Sequence, residues 1–267
     1  MLMNEEDRKK DNEITVVTLT GDRPQAFSLC RLWMSRQTRI PDQWIVVDDG
    51  KVPIMPTNEM QYVRRQPKSD DPKYTMLLNM RTALPLVVGK KIMIMEDDEW
   101  YSFRYVEEMA RRLDKYEVVG IARSKYYHLP SGRYLRHSNM DHASLAQTAF
   151  RSSFLPEVAK LLEGDNFLDI RIWKKVDKID KFQSGEKYFA AKEREVGDGQ
   201  GLLFDDGNGE DGSCLYVGIK GLPGRPGIGV GHRHHGGYLQ DTSDRKMLQK
   251  WIPGDYQIYL DILAGEN

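Results

Sequence analysis

The chain has 267 residues, with 39 Lys+Arg against 40 Asp+Glu and 40% hydrophobic residues, enough to bury a sizeable core in one large domain or two small ones. A net charge of -1 excludes a surface that as a whole attracts nucleic acid or anionic lipid, and no run of about 18 apolar residues offers a membrane span. Two cysteines, Cys30 and Cys214, leave no disulfide framework and suit a reducing cytoplasm.

Residues 1–12 are a charged leader where a secretory signal would be apolar. Ile14-Thr15-Val16-Val17-Thr18-Leu19 has the β-branched pattern of a buried strand. It stops at Thr20-Gly21-Asp22-Arg23-Pro24, after which Ala26, Leu29, Cys30, Leu32 and Trp33 mark an apolar helical face. A second apolar run, Trp44–Val47, ends in Asp48-Asp49-Gly50. Strand, helix and strand in this spacing predict parallel pairing. A helix over 74–84 follows, then a third buried strand, Ile92-Met93-Ile94-Met95, which ends in Glu96-Asp97-Asp98-Glu99. Val106, Met109, Ala110 and Leu113 mark the next helix. Val118–Ala122 and Tyr134–His137 flank a Pro130-Ser131-Gly132 turn and read as a hairpin. A strand over 148–154 and helices over 156–162 and 169–176 come next, and two short helices near 244–251 and 255–263 close the chain. The whole reads as an α/β mixed sheet with helices on both faces.

In open α/β sheets the binding crevice lies at the carboxyl ends of the strands. Two buried strands end in acids here, and the pattern predicts that both acidic groups meet in one crevice. Massed carboxylates repel unless they share a cation, and oxygen ligands suit Mg²⁺ or Mn²⁺. Taken singly, an acid after a strand also serves as a helix cap or a solvated edge.

These residues resemble the nucleotide-sugar glycosyltransferases of the GT-A fold, in particular the large family-2-like group. Thr18-Leu19-Thr20-Gly21-Asp22-Arg23-Pro24 resembles the family's opening, where the backbone meets the nucleotide, and Val46-Val47-Asp48-Asp49-Gly50 its second strand, whose acid binds the base. Ile92–Tyr101 resembles the strand of the Asp-x-Asp motif, with Glu96 in the first acid position and Asp98 in the second. Thr148–Leu155 resembles the acceptor-side strand, and Phe167–Trp173 the helix start that carries the catalytic base. The resemblance therefore implies Asp98 as metal ligand and Asp169 as the base that deprotonates an acceptor hydroxyl. It implies donor contacts from Thr18, Thr20, Arg23, Asp48, Asp49, Glu96 and Asp97, with Trp100 and Tyr101 on the acceptor side.

Of the 23 glycines, 14 fall between Gly197 and Gly237. The Gly-x-Gly-x-Gly run near 227–231 follows no evident strand and opens no evident helix, which disfavours a dinucleotide site. By the same resemblance, His232, or His234 in its place, completes the metal shell from a late mobile segment, and an imidazole leans the choice toward Mn²⁺. Lys220, Arg225 and Arg233 are candidates to face the leaving diphosphate. The expected organisation is a 13–196 GT-A core and a 197–267 Gly/His-rich flap with C-terminal helices.

The expected activity is metal-dependent transfer of a hexosyl group from a nucleotide-diphosphate sugar, UDP-linked in most of this group, to a soluble hydroxyl acceptor. A saccharide, a protein and a hydroxymethylated DNA base all remain open as acceptors, the last on the pattern of compact phage enzymes. Arg171, Lys174, Lys175, Lys178 and Lys181 form either a phosphate-binding face or a solvated helix face. The competing readings are a sugar-1-phosphate nucleotidyltransferase, disfavoured by one glycine and one arginine in 20–24, and a non-catalytic sugar- or nucleic-acid-binding module.

Overall fold

The computed structural model describes residues 13–137, 139–164, 167–181, 200–207, 209, 214–225, 227 and 237–265. The main sheet has eight strands. In chain order they are β1 (Ile14–Thr20), β2 (Gln43–Asp48), β3 (Gln61–Arg64), β4 (Lys91–Ile94), β6 (Val118–Ile121), β9 (Thr148–Arg151), β10 (Ile179–Lys181) and β11 (Gly201–Phe204), and they lie in the order β10-β11-β6-β9-β4-β1-β2-β3. Every pairing is parallel except those of β9, which runs antiparallel to both β4 and β6. The fold is thus the α/β mixed sheet expected from the sequence.

Period-2 alternation sorts the strand residues onto two cores. Val16, Val46, Met93 and Val119 face one, together with Cys30 and Trp33 of α1 (Pro24–Ser35) and Val106 and Met109 of α3 (Tyr105–Leu113). Leu248 and Trp251 of α6 (Lys246–Trp251) and Tyr259 of α7 (Tyr256–Ala264) complete that layer. Val17, Ile45, Ile92 and Val118 face the other, against Leu77 and Met80 of α2 (Met76–Ala83), Val158 of α4 (Leu155–Leu161) and Ile172 of α5 (Leu168–Trp173). Helices therefore cover both faces.

A second, five-stranded sheet joins β5 (Trp100–Tyr101), β7 (Lys125–His128), β8 (Arg133–Arg136), β12 (Tyr216–Lys220) and β13 (Leu239–Gln240) in the order β13-β8-β7-β12-β5. The hairpin around 130–132 is made by β7 and β8. This corrects the pairing expected for Val118–Ala122, which belongs to the main sheet. The polar-looking Lys-Tyr-Tyr-His run forms a strand because Lys125, only 1% exposed, buries its ammonium against Asp206.

Two strands arise inside the glycine-rich segment. β11 is an interior strand of the main sheet, so the sheet draws on residues beyond 196. β12 ends at Lys220, just before Gly221 and ahead of the Gly-x-Gly-x-Gly run that begins at Gly227. Among the described residues no helix is long and apolar enough to cross a membrane.

Candidate functional site

β1, β2 and β4 lie side by side and parallel, so their carboxyl ends share one edge. There the chain must turn sharply. Asp22 takes a left-handed backbone (φ 55°), and its carboxylate accepts the Lys51 N–H at 2.6 Å, tying the turn after β1 to the turn after β2. Gly21 lies so close that a side-chain carbon there would fall 2.3 Å from Asp49 Oδ1. A cleft of about 270 Å³ opens at this edge.

The acids after β4 separate by direction. Glu96, Asp98 and Glu99 each present a carboxylate oxygen, and these oxygens lie within 4.8 Å of one another. All three line the cleft. Asp97 turns inward, fully buried, where it accepts the Thr20 hydroxyl at 2.7 Å. Arg23 spans the motif, with one guanidinium nitrogen 2.8 Å from Asp97 and the other 2.8 Å from Asp98. Lys220 ion-pairs with Glu99, whose other oxygen accepts the Ile219 N–H at 2.7 Å. The Tyr101 hydroxyl accepts the Glu96 N–H at 2.8 Å and so holds the first acid in place.

Electrostatics follow from this crowding. Burial, then repulsion from Asp98, pushes Glu96 up to about 7. Burial pushes Asp97 up to about 6 against the pull of Arg23. Glu99 is raised by burial against the pull of Lys220. Burial alone would discharge Arg23 and Lys220, but the surrounding carboxylates outweigh it and hold both as cations. Four carboxylates thus meet two cations, Arg23 and Lys220, at the end of β4. With all four ionised, the residual charge equals that of one divalent ion, and the all-oxygen donor set of Glu96, Asp98 and Glu99 suits Mg²⁺ or Mn²⁺.

Asp169 lines the same cleft. Leu168, Ile172 and Trp173 are buried against the sheet, and the Trp173 indole donates to the Thr148 hydroxyl at 3.0 Å. That apolar face fixes α5 and leaves Asp169, in its first turn, at the cleft. Burial raises the affinity of its carboxylate for a proton, opposed by the Ile170 N–H and the nearby His142.

Other expected site residues are placed differently. Thr18 is fully buried and accepts the Trp44 indole N–H at 3.0 Å on the core side of β1, away from the cleft. Asp48 is saturated: it accepts from the N–H groups of Gly50 and Ile54 and the Tyr62 hydroxyl, and lies 3.3 Å from Arg64. Asp49 pairs with Arg65 at 2.6 Å and with Arg225. Neither acid lines the cleft, so the two acidic groups share an edge without sharing a pocket. Trp100 and Tyr101 are core residues, Trp100 donating to Asp255 at 2.9 Å. Thr20, Arg23, Lys220 and Arg225 do line the cleft. His232, Arg233 and His234 lie outside the described residues.

The stretch just before those histidines closes over the opening turn. Gly224 (φ 120°) approaches so closely that a side-chain carbon would meet the Asp22 carbonyl at 2.6 Å, while the Arg225 N–H bonds that carbonyl at 3.3 Å. The cleft also recruits Tyr74, His137, Asn139, His142 and Phe167. No periodicity marks these residues, because they sit in irregular segments that the fold brings together.

No family model matches the chain, and no curated protein matches it. Among solved structures it is similar to TarS of S. aureus. Against TarS 1-349 in complex with UDP the TM-score is 0.46 at 13% identity, over 60% of this chain and 54% of that one. Against TarS 1-349 in complex with UDP-GlcNAc it is 0.42 at 13% identity, over 54% and 47%. Against TarS without the 1-349 limits it is 0.41 at 12% identity, over 55% and 29%. The chain thus spans about half the length of TarS 1-349 and under a third of the longer chain.

Proposed function

We propose that this chain is a metal-dependent glycosyltransferase that moves a sugar from a nucleotide-diphosphate sugar, UDP-linked, to a hydroxyl acceptor. The observation that carries the reading is the cleft itself: the carboxylates of Glu96, Asp98 and Glu99 at the end of β4, with Asp169 in the same cavity. When bound, a divalent ion at Glu96, Asp98 and Glu99 would supply neutralising charge for a departing diphosphate. Arg23 and Lys220 hold that cluster's acids in place and add positive charge beside it. Asp169 is the candidate to take the proton of the attacking hydroxyl, and the rise in its proton affinity on burial suits a base. In an inverting transfer the acceptor oxygen bonds to the anomeric carbon as the carbon–oxygen bond to the diphosphate breaks, and the diphosphate leaves with the electron pair. Arg225, tied to Asp49, and the glycines around it would close over the donor and exclude water.

Incubation with UDP-glucose or UDP-GlcNAc and Mn²⁺ tests the reading through released UDP. Expected are turnover that a chelator stops and a loss of at least about a hundredfold in Asp98→Asn. Unaltered metal-dependent turnover in Asp98→Asn would refute the site, and no turnover of any nucleotide sugar by the wild type would refute the activity.

A further inference from the structure

Glu96, Asp98 and Glu99 stand at the end of β4, where Arg23 and Lys220 are spent on carboxylates. β2 lies two strands away, about 10 Å across the sheet, and the cleft wall on that side is built on buried Asp49. One Asp49 oxygen takes a guanidinium nitrogen of Arg65 at 2.6 Å, and the other takes one of Arg225. The Thr75 hydroxyl also donates to this carboxylate. Arg65 in turn donates its Nε–H to Asn79 Oδ1 at 2.5 Å. Thr75, Asn79 and Arg225 thus belong to one bonded group, and all three line the cleft while Asp49 does not.

This bonding fixes what each side chain offers a ligand. Arg65 can only donate, so it sets the Asn79 amide with its oxygen toward the guanidinium and its nitrogen turned away. Asn79 is 2% exposed, and among the described residues its Nδ2 meets no acceptor. Its N–H groups are left for the cleft. Thr75 has given its one hydroxyl hydrogen to Asp49, so its oxygen serves a ligand only as an acceptor. Arg225 has spent one nitrogen on Asp49 and keeps further N–H donors. Asn79 follows Thr75 by one helical turn, its backbone N–H bonded to the Thr75 carbonyl at 3.0 Å. Thr75 meets Arg225 at the shared carboxylate. The wall therefore reads donor, acceptor, donor.

We infer that this wall selects the donor nucleotide by the imide edge of a uracil-type base, one carbonyl on the Asn79 amide, the ring N–H on the Thr75 oxygen and the other carbonyl on Arg225. The inference deepens the proposed glycosyl transfer and rests on it. A nucleotide whose diphosphate lies at the β4 acids places its base a nucleoside's length away, which matches the step from β4 to β2. The acids after β2, to which the resemblance gives the base, are not available for it. Asp48 is saturated, and Asp49 is occupied by Arg65, Arg225 and Thr75. Cytosine carries an amino group where uracil carries O4, and a bare ring nitrogen where uracil carries N3–H. On this wall it would set donor against donor at Asn79 and acceptor against acceptor at Thr75.

Titration calorimetry of the full chain with UDP and with CDP, both in Mn²⁺, reads the base alone, because the two ligands differ only at that edge. Expected is UDP binding about tenfold or more tighter than CDP. Asn79→Asp keeps an oxygen toward Arg65 and turns a second acceptor to the cleft, so the preference for UDP should vanish or reverse. Asn79→Ala removes the contact and should cut the preference several-fold; it decides the matter if the aspartate variant does not fold. Equal affinity for UDP and CDP in the wild type, or the wild-type preference kept in the variants, would overturn the inference. Selective UDP binding without sugar transfer to any acceptor would sink the transferase reading and leave the base subsite standing. Binding of neither nucleotide would remove both.

Discussion

Replacing Gly120 by alanine tests whether the packing beneath α5 positions Asp169. Gly120 lies in β6 with the Trp173 indole pressed onto its backbone: a β-carbon there would fall 2.4 Å from Trp173 Cζ2 and 2.6 Å from the Ala143 β-carbon. Ordinary carbon contacts begin near 3.5 Å, so the indole must retreat by about 1 Å. The ring is held by its hydrogen bond to Thr148 and by full burial of the α5 face, so the helix moves with it. Overpacking of this kind costs about 1–3 kcal/mol. In a chain of this length that lowers Tm by roughly 2–10 °C. If Asp169 is the base proposed above, a displacement of about 1 Å there costs on the order of a hundredfold in turnover, about 2.7 kcal/mol in the barrier. Ala143 adjoins His142, so the opposing loop is pushed too. The assay is thermal unfolding alongside single-turnover sugar transfer, for Gly120→Ala, Trp173→Phe and the double variant. Phenylalanine lacks the outer ring atoms that meet the new methyl group, so the double variant should recover part of both losses, a coupling above about 0.5 kcal/mol. Wild-type Tm and turnover in Gly120→Ala, or strict additivity in the double variant, would refute the reasoning.

Lys220→Met removes the cation facing buried Glu99 and should cost about 3–5 kcal/mol in urea unfolding at pH 7, falling at lower pH as Glu99 takes up a proton; a pH-independent cost would contradict the pairing. Asp49 offers the opposite sign. Burial alone would raise its proton affinity, but hydrogen bonds from Thr75, Arg225 and Arg65 outweigh it and hold the carboxylate below its ordinary value. Its stabilising contribution is therefore present above about pH 4, the unfolded value, and is lost as pH falls through the lower folded one. The urea midpoint of Asp49→Asn should lie below wild type at pH 7 and the gap should narrow as the pH falls below about 4; a gap constant through that fall would count against the argument.

Much of the frame was legible from local pattern. β1, β2 and β4 read directly as β-branched runs, and the apolar faces of α1, α2 and α3 declared themselves by spacing, because burial on one or both faces writes a period into the chain. Asp98 was nameable because it follows β4 at its end, and Asp169 through the resemblance, at the start of α5. β11 and β12 were not legible: Leu202-Leu203-Phe204 is too short a run among glycines to read alone, and it becomes a strand by pairing with β6 and β10. The β7–β8 hairpin was misassigned because Lys125 does not look like a strand residue until Asp206 neutralises it.

The sequence by itself determined which strands end in acid and, through their spacing and parallel pairing, that those ends lie on one edge. What each acid does was decided only by tertiary structure. Asp97 and Asp98 are adjacent in the chain, yet one bonds Thr20 in the interior and the other faces the cleft. Asp48 is used up by Tyr62, Arg64 and two backbone N–H groups. A carboxylate's role is set by the partners that reach it, and those arrive from the far side of a turn or a neighbouring strand. Arg23 lies 75 residues from Asp98, and Lys220 lies 121 from Glu99. Local periodicity carries no record of such distances, because it registers which face is buried and not what is buried against it.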